Sequence, residues 1–489
     1  MAKVVVVGAG IAGLSAALTA REGGADVTVL EAAPLEERGG NTRFSNSAMR
    51  FVSAGPEDVY RLVPDLNDDE KARGVFTSYS REDYFDDIAR ITQYRCDPAM
   101  VDALVDNSYQ TLLWLKDQGV RFLPMWEWAL KLPDGRVDFG GGGGLEAWGA
   151  GAGISDALFA RAGKTGIAVH YDTRAEALVD TDGGVRGVVA RQGRRRVEFP
   201  ADRVVLAAGG FQASPEMRVR YLGPGWDLAK VRGSRFDVGD GLRMALAAGA
   251  QAYGNWSGCH SASWDLNAPD VNTLEFGTVW KRDDFIYGIM VNARGERFVD
   301  EGEDVRSHIY ARMGREVLAQ PRQFAWQVYD AKVARLIHAE YRTRRSRRVV
   351  ADTLEELVAK MEGVDRDGFL ATVAAFNAAV RDRPAFDPGV KDGRRTRGLA
   401  VDKTNWAQAL DTPPYEAFGV TCGITFTFGG VRIDTAGHVL DVAGRAIPGL
   451  YAAGEMAGGL FYFNYAGGAG LSGAAVFGRL AGASAAADP

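Results

Sequence analysis

Four residues near the N-terminus combine three glycines and one carboxylate at a spacing suited to a phosphate-rich ligand. Gly8, Gly10 and Gly13 form a G-x-G-x-x-G motif, and Glu31 follows 23 residues after the first of them. Gly8 permits a tight turn, Gly10 lets backbone approach a pyrophosphate, and Gly13 lets a helix pack closely on a strand. A carboxylate at the position of Glu31 accepts hydrogen bonds from an adenosine ribose. The residues therefore predict a dinucleotide site, the alternative being a glycine-rich turn without a ligand.

Two strands and one helix must position these residues. The β-branched run Val4–Val7 is typical of a strand buried on both faces, and Leu14–Ala20 has helical composition. A second strand, Val27–Leu30, ends directly before Glu31. The free N–H groups at the start of the helix carry a partial positive charge that favours a pyrophosphate. This motif does not by itself separate NAD from FAD.

Composition and charge exclude several classes of protein. The chain has 489 residues, of which 46% are hydrophobic and 25% charged, which is typical of a globular protein with more than one domain. Its net charge of -6 gives no overall attraction for nucleic acid. Cys96, Cys259 and Cys422 are too widely spaced for a disulfide framework or a CxxC metal site, so we predict no metal. We find no signal peptide and no membrane-spanning run, and we therefore expect a cytoplasmic protein.

Further segments resemble those of one known flavoprotein family. Gly39–Ser45 resembles the GGNT/S segment of the fumarate reductase and succinate dehydrogenase flavoprotein family, and Val204–Phe211 its second glycine-ended strand. Gly239–Gly241 is similar to its GDG turn, and Ile447–Glu455 to its C-terminal strand and turn. The resemblance implies that the dinucleotide is FAD. It also implies an α/β fold, in which a Rossmann-type, glutathione-reductase-like FAD-binding domain carries an inserted α+β capping domain.

The resemblance predicts FAD contacts along the whole chain. In addition to the three glycines and Glu31, the predicted contacts are Ala12, Ala32, Gly39, Gly40, Asn41, Thr42, Ser45, Ala175, Ala208, Gly209, Asp240, Gly454, Glu455, Gly470, Leu471 and Ser472. The last three open an apparent helix, whose N–H groups would stabilise the negative charge of a reduced flavin. Some family members attach FAD through a histidine after GGN. Residues 42–48 contain none, so we predict non-covalent FAD.

The resemblance also divides the chain into domains. Residues 1–254 and 428–489 are assigned to the FAD-binding domain, and residues 255–427 to a domain that encloses the substrate. Within the first segment we expect antiparallel strands around Ala177–Phe199 and a helix near residues 98–117.

One arginine occupies the position of the family's proton-transfer residue. That residue follows a strand and turn similar to Met290–Glu301, and the nearest match downstream is Arg306. A guanidinium hardly deprotonates, so side-chain chemistry alone favours an Arg306 that clamps a substrate carboxylate. The resemblance instead implies proton transfer, which requires a dry site and a relay through Asp304, Glu303 or Glu301.

Three other positions bear on the substrate. His260 lies where the family has a substrate-binding histidine, although an isolated histidine is often structural. Phe426 and Tyr465 stand where fumarate reductases have a histidine and an arginine, so two dicarboxylate contacts are missing. A tyrosine in the C-terminal loop is similar to that of 3-ketosteroid dehydrogenases, where it holds a ketone. The segments around Arg306 and Tyr465 look most like the tricarballylate dehydrogenase branch of the family.

We therefore expect an FAD-dependent dehydrogenase that forms a C=C bond next to a carboxylate or carbonyl of a small molecule. The resemblance assigns the proton to Arg306 and the hydride to the flavin. Three scattered cysteines cannot ligate an iron–sulfur cluster, so electrons would leave to oxygen, a quinone or a redox protein. The alternatives are an enoate reductase, a ketosteroid-dehydrogenase-like activity and a flavin-binding module without turnover. Five aromatic residues either line a pocket or belong to the core: Trp126, Trp128, Phe461, Tyr462 and Phe463.

Overall fold

The computed structural model describes residues 1–126, 129–132, 134–140, 144–380 and 384–488. The chain forms two compact units. The first unit contains Met1–Asp227, Gly233–Cys259 and Phe426–Pro489, and the second contains Leu228–Arg232 and His260–Thr425. The domain boundaries given above stay predictions.

A six-stranded sheet forms the centre of the first unit. Its strands lie in the order His438–Leu440, Ala446–Ala452, Arg203–Leu206, Lys3–Val7, Asp26–Leu30 and Ala168–His170. Five of them are parallel, and the edge strand His438–Leu440 runs antiparallel to its neighbour. Val4–Val7 is buried along its whole length, as a β-branched central strand requires. This is the predicted Rossmann-type sheet.

Two helices pack against each other beside this sheet. Ile11–Glu22 follows the first strand, and Ala469–Ala487 closes the chain. Gly478 and Gly482 permit their close approach, because a Cβ at either position would lie 2.4 Å from Ala12 O or 2.3 Å from Ala16 O. The other helices of the unit are Gly40–Arg43, Pro56–Leu62, Asp68–Arg73, Arg81–Ile91, Pro98–Asp117, Ala150–Lys164, Pro215–Leu222 and Asp240–Ala247.

Shorter strands complete the first unit. Thr173–Thr181, Gly184–Gln192 and Arg195–Pro200 form an antiparallel sheet at the place predicted for it. The remaining short strands are Gly74–Val75, Phe122–Pro124, Leu130–Lys131, Val137–Asp138 and Leu145–Ala147.

The second unit combines a mixed sheet with three helices. Its sheet has the order Lys230–Val231, Tyr415–Val431, Ala325–Tyr329 and Ile289–Val291, and Arg348–Ala351 also pairs with the long second strand. A further strand, Ala252–Asp265, belongs to the first unit up to Cys259 and to the second unit from His260. The helices are Arg306–Leu318, Leu354–Lys360 and Arg366–Ala379.

Buried aromatic side chains form the core between these elements, among them Trp326, Phe369 and Phe376. The architecture is thus the predicted α/β fold with an additional capping unit. In the described part of the chain, no helix is both long and apolar enough to cross a membrane.

Candidate active site

The glycine turn of the first unit has the geometry that its motif predicts. Gly8 has a positive φ of 99°, and a Cβ there would lie 2.4 Å from Ala207 O. A Cβ at Gly13 would lie 1.9 Å from Gly8 O, so only glycine allows the helix to pack this closely. At Gly10 a Cβ would meet nothing nearer than Thr42 Oγ1 at 3.5 Å. Neither the fold nor the packing therefore requires glycine at position 10. Close approach of a bound ligand would explain this residue.

The Gly39–Ser45 segment lies against this turn. Thr42 is buried, and its Oγ1 accepts a hydrogen bond from the backbone N–H of Ile11 at 2.9 Å. Ser45 Oγ donates to Thr42 O at 2.7 Å, and Asn41 Oδ1 accepts from Ser234 N at 2.9 Å. These bonds hold the segment beside the first turn of the helix, whose N-terminal end attracts anions.

Glu31 is a buried carboxylate at the end of the second strand. Its two oxygens accept hydrogen bonds from Ala9 N at 3.0 Å and Ala33 N at 2.9 Å. Burial raises the pKa of Glu31, and the backbone N–H groups of Ala33, Ala9, Gly39 and Ala32 partly offset this rise. A carboxylate fixed in this way can accept further hydrogen bonds from ribose hydroxyls.

A second buried carboxylate, Glu455, belongs to a polar cluster that the sequence did not reveal. Glu455 Oε1 accepts from Thr427 N at 2.7 Å, and Oε2 accepts from Gln212 Nε2 at 3.2 Å. Gln212 Nε2 also donates to Asp237 Oδ2 at 2.9 Å. Burial raises the pKa of Glu455 to about 7, and burial with the charge of Glu455 raises the pKa of Asp237 well above its usual range. Burial therefore favours the protonated form of both carboxyl groups.

The C-terminal helix Ala469–Ala487 begins at Gly468 without a side-chain cap. Gly470, Leu471 and Ser472 lie in its first turn, and Gly468 has a φ of 85°. The buried Arg50 supports the preceding loop, because its Nε donates to Gly467 O at 2.9 Å. This helix start offers N–H groups and a positive dipole end to an anion.

The other residues predicted to contact FAD lie on several elements of the first unit. Ala12 lies beside Gly454, where a Cβ would be 2.7 Å from Ala12 Cβ. Asp240 forms an ion pair with Arg174 at 2.5 Å and another with Arg243. Gly209 has a φ of 71°, and Ala208 follows the strand Arg203–Leu206. Ala175 lies in the strand Thr173–Thr181, and Gly40 is the first residue of the short helix Gly40–Arg43. Contacts of all these residues with FAD stay predictions.

In the second unit, Arg306 pairs with Asp284. Arg306 is the first residue of its helix, and its Nη1 lies 2.8 Å from Asp284 Oδ1. His338 contacts the same carboxylate through Nδ1, at 2.7 Å from Oδ1, and through its backbone N–H, at 2.8 Å from Oδ2. Burial raises the pKa of Asp284, but the hydrogen bond with His338 and the charge of Arg306 outweigh it and lower that pKa. Asp284 is therefore ionised.

The pKa of Arg306 shows that its guanidinium is charged at rest. Burial lowers this pKa, but the charges of Asp284, Tyr287 and Asp283 outweigh burial and raise it. The three carboxylates predicted as relay candidates form ion pairs with other residues. Glu301 pairs with Arg297 Nη2 at 2.5 Å, Glu303 pairs with Arg312, and Asp304 pairs with Lys391 Nζ at 3.2 Å. Asp284 and His338 were missed, because no motif marks either residue.

His260 is buried in the same unit. Its ring packs edge-to-face against Tyr310, with 5.1 Å between the centroids. Burial and the nearby charges of Arg232 and Lys281 lower the pKa of His260 well below its usual range. The imidazole is therefore neutral, and it can donate or accept a hydrogen bond without carrying charge.

Tyr465 belongs to an aromatic cluster of the first unit. Its ring packs edge-to-face against Phe426 at 5.3 Å and Phe461 at 5.4 Å, and its hydroxyl accepts from Gly468 N at 3.1 Å. Tyr462 packs against Phe463 at 6.4 Å. Trp126 packs against Phe139 at 4.9 Å, and Trp128 lies outside the described residues.

The residues of the first unit fit FAD. Gly10 leaves space beside the backbone, and the buried Glu31 stands at the spacing expected for a ribose contact. The N-termini of the helices Ile11–Glu22 and Ala469–Ala487 supply N–H donors for a dinucleotide. Among the described residues, no group of three or more His, Cys, Asp and Glu side chains could hold a metal ion. Fold and site together define a dinucleotide-binding oxidoreductase.

Comparison with known proteins gives the family. A family model described as an FAD binding domain matches residues 3–471. The chain belongs to this FAD-binding flavoprotein family, which is related to fumarate reductase and succinate dehydrogenase, and it is an FAD-dependent oxidoreductase.

Its relatives include a reductase and a dehydrogenase. The chain is 31% identical to a fumarate reductase (cytochrome) of Shewanella frigidimarina over 99% of its own length and 76% of the relative's. An open flavocytochrome c3 fumarate reductase matches with a TM-score of 0.73 and 26% identity, over 99% of this chain and 78% of that one. A 3-ketosteroid-Δ4-(5α)-dehydrogenase of Rhodococcus jostii RHA1 matches with a TM-score of 0.72 and 25% identity, over 99% of this chain and 96% of that one.

Proposed function

We propose that the chain dehydrogenates a C–C bond next to a carboxylate or carbonyl of a small molecule. The observation that carries this proposal is the pair between Arg306 and the buried Asp284. When bound, FAD supplies a carrier for the hydride. The protein must then move the companion proton and stabilise charge beside the carbon that loses it.

We assign transfer of the substrate proton to Arg306. Its guanidinium is charged at rest, so Nη1 takes up a substrate proton only if it gives one away at nearly the same time. Asp284 Oδ1, at 2.8 Å from Nη1, would receive it, and His338 lies against the same carboxylate. The side chain of His338 is 20% exposed, which suits the outer end of such a relay.

We assign hydrogen bonds with the substrate to His260 and Tyr465. A neutral His260 can donate to a carboxylate or carbonyl oxygen. The hydroxyl of Tyr465 accepts the N–H of Gly468, and a hydroxyl that accepts a hydrogen bond becomes a better donor. A hydrogen bond from either residue would stabilise negative charge that develops on a substrate oxygen.

The substrate class follows the residues around Arg306 and Tyr465, which resemble the tricarballylate dehydrogenase branch. We therefore propose a small carboxylate as substrate, non-covalent FAD, and an external electron acceptor such as oxygen, a quinone or a redox protein. A second candidate is the reverse reaction, reduction of an enoate, which the 31% identity to a fumarate reductase favours.

Variants of Arg306 test the proposal. Arg306→Ala and Arg306→Lys should both retain FAD, measured by flavin absorbance per protein. We expect turnover to fall by about 100-fold or more in Arg306→Ala, the size typical of a lost general acid or base. Arg315→Ala is the matched control, because Arg315 lies on the same helix and is 42% exposed. Full activity of Arg306→Ala would rule out the assignment. Assays with an oxidising dye and with a reduced viologen separate the two directions.

A further inference from the structure

Arg50 is a buried arginine that joins two segments of the first unit. It follows the Gly39–Ser45 segment along the chain, and its side chain is only 7% exposed. Its Nε donates to Gly467 O at 2.9 Å, and its backbone N–H donates to Gly468 O at 3.3 Å. Gly468 fits closely against it, because a Cβ at that position would lie 3.0 Å from Arg50 N. Arg50 therefore fixes the turn from which the helix Ala469–Ala487 begins.

The guanidinium of Arg50 is held on its other side by Asp87 and Tyr79. Its Nη1 donates to Asp87 Oδ2 at 3.2 Å and to the hydroxyl of Tyr79 at 2.7 Å. That hydroxyl donates to the same carboxylate oxygen at 2.7 Å. The guanidinium carbon also lies 5.4 Å from the centre of the Tyr79 ring and 6.0 Å from that of Tyr84. A guanidinium hardly deprotonates, so these contacts hold a permanent positive charge beside the helix start.

The peptide group between Gly467 and Gly468 connects this charge to the candidate active site. Its carbonyl oxygen accepts from Arg50 Nε, and its N–H donates to the hydroxyl of Tyr465 at 3.1 Å. A charged donor on the oxygen of a peptide group strengthens the hydrogen bond that its N–H makes. The N–H groups that follow belong to the first turn of the helix, which is predicted to contact FAD. Such first-turn groups lack partners within their own helix and attract negative charge.

We propose that Arg50 is a positioning residue that raises the reduction potential of the bound flavin. Uptake of two electrons and one proton leaves the flavin with a negative charge. A buried cation behind the helix start stabilises that charge more than it stabilises the neutral oxidised form. The inference rests on the FAD site of the proposed function and concerns the electron affinity of the flavin, not the substrate. A higher potential favours the oxidation of a C–C bond that the proposed function requires.

Anaerobic titration of the holoenzyme against a reference dye tests this inference without any substrate. Dithionite reduces flavin and dye together, and their absorbances give the midpoint potential of the flavin. We expect Arg50→Met to lower this potential by about 30 mV or more, which corresponds to a tenfold loss in the stability of reduced relative to oxidised flavin. Arg50→Lys keeps a charged donor and should retain most of the potential.

Asp87→Asn tests the charge of Arg50 while leaving Arg50 itself in place. It removes the negative charge that lies 3.2 Å from the guanidinium, so it should raise the potential. Loss of a merely structural contact does not predict opposite shifts in Arg50→Met and Asp87→Asn. If Arg50→Met fails to fold, the comparison of Arg50→Lys and Asp87→Asn with the unsubstituted enzyme still decides the sign.

The matched control is Arg81→Met in the same unit. Arg81 is 44% exposed, and its Nε lies 2.8 Å from Asp106 Oδ1. Its substitution should leave the potential unchanged. An unchanged potential in Arg50→Met would overturn the inference, as would a potential that Asp87→Asn lowers or leaves unchanged. Failure of the proposed function is a different result, in which no carboxylate or carbonyl compound exchanges electrons with the flavin, whatever its potential.

Discussion

Asp284 Oδ1 lies 2.8 Å from Arg306 Nη1 and 2.7 Å from His338 Nδ1, so one buried carboxylate contacts both side chains. Asp284 is 1% exposed, and its backbone N–H donates to the hydroxyl of Tyr341 at 2.7 Å. The carboxylate is therefore held rigidly, and it fixes the guanidinium of Arg306.

Asp284→Asn should destabilise the protein and abolish turnover. The substitution removes the carboxylate that lies 2.8 Å from the Arg306 guanidinium, and breaking a buried ion pair costs about 3 to 5 kcal/mol. Urea unfolding of the holoenzyme measures the change. The control Glu216→Gln removes one partner of an ion pair in which both side chains are 64% exposed, and its unfolding midpoint should not move. Equal midpoints for the two variants would contradict the role given to Asp284.

Gly10 and Gly13 should respond differently to alanine. A Cβ at Gly10 meets no atom within 3.4 Å, so Gly10→Ala should fold normally but weaken FAD binding by about tenfold or more, or about 1.4 kcal/mol. A Cβ at Gly13 would overlap Gly8 O at 1.9 Å, so Gly13→Ala should lower the stability by about 1 to 3 kcal/mol. Thermal unfolding and FAD titration of the apoproteins separate the two effects. Unchanged FAD affinity in Gly10→Ala would place the cofactor elsewhere.

The carboxyl cluster of Asp237 and Glu455 should make stability depend on pH. Burial raises both pKa values, with that of Glu455 moving from 4.5 to about 7. A raised carboxyl pKa favours the fold while the group is protonated, and this contribution is lost as pH rises from about 4.5 through about 7. The unfolding temperature of the holoenzyme should therefore fall over this range. Asp237→Asn should reduce the fall, since an amide cannot ionise, and an identical pH profile would refute the cluster's role.

FAD should be released by acid. The prediction of non-covalent attachment rests on the absence of histidine from residues 42–48. After acid precipitation, all of the yellow colour should appear in the supernatant, and the mass of the denatured chain should equal that of the polypeptide. Flavin that stays with the precipitate would show that another residue forms a covalent bond.

The fold of the first unit follows from local patterns in the sequence. Val4–Val7 and the glycines after it predict the central strand and the helix Ile11–Glu22, because strand, turn and helix follow one another directly and Gly13 packs against Gly8 O, five residues before it. The strands around Ala177–Phe199 and the helix Pro98–Asp117 were predicted on the same grounds. Such patterns are local, so a single sequence shows them.

The polar clusters could not be predicted in this way. Gln212, Asp237 and Glu455 meet only because three distant segments come together, and nothing in the sequence marks the first two. Asp284 stands in a run of charged residues, Lys281–Asp284, that is typical of a solvated loop, yet the structure buries it against His338. Pairing between residues far apart in the chain, and the pKa shifts that result from it, require the folded structure.

Anaerobic reduction of the flavin tests the central claim most directly. The purified holoenzyme would be mixed with tricarballylate, succinate, cyclic ketones such as 3-ketosteroids, and aromatic enoate precursors, and its flavin absorbance followed. We predict that one carboxylate or carbonyl compound bleaches the flavin in the unsubstituted enzyme and in Arg315→Ala, but not in Arg306→Ala. If no compound bleaches the flavin, while the dithionite-reduced enzyme is reoxidised by an enoate, dehydrogenation is the wrong direction and the protein is a reductase.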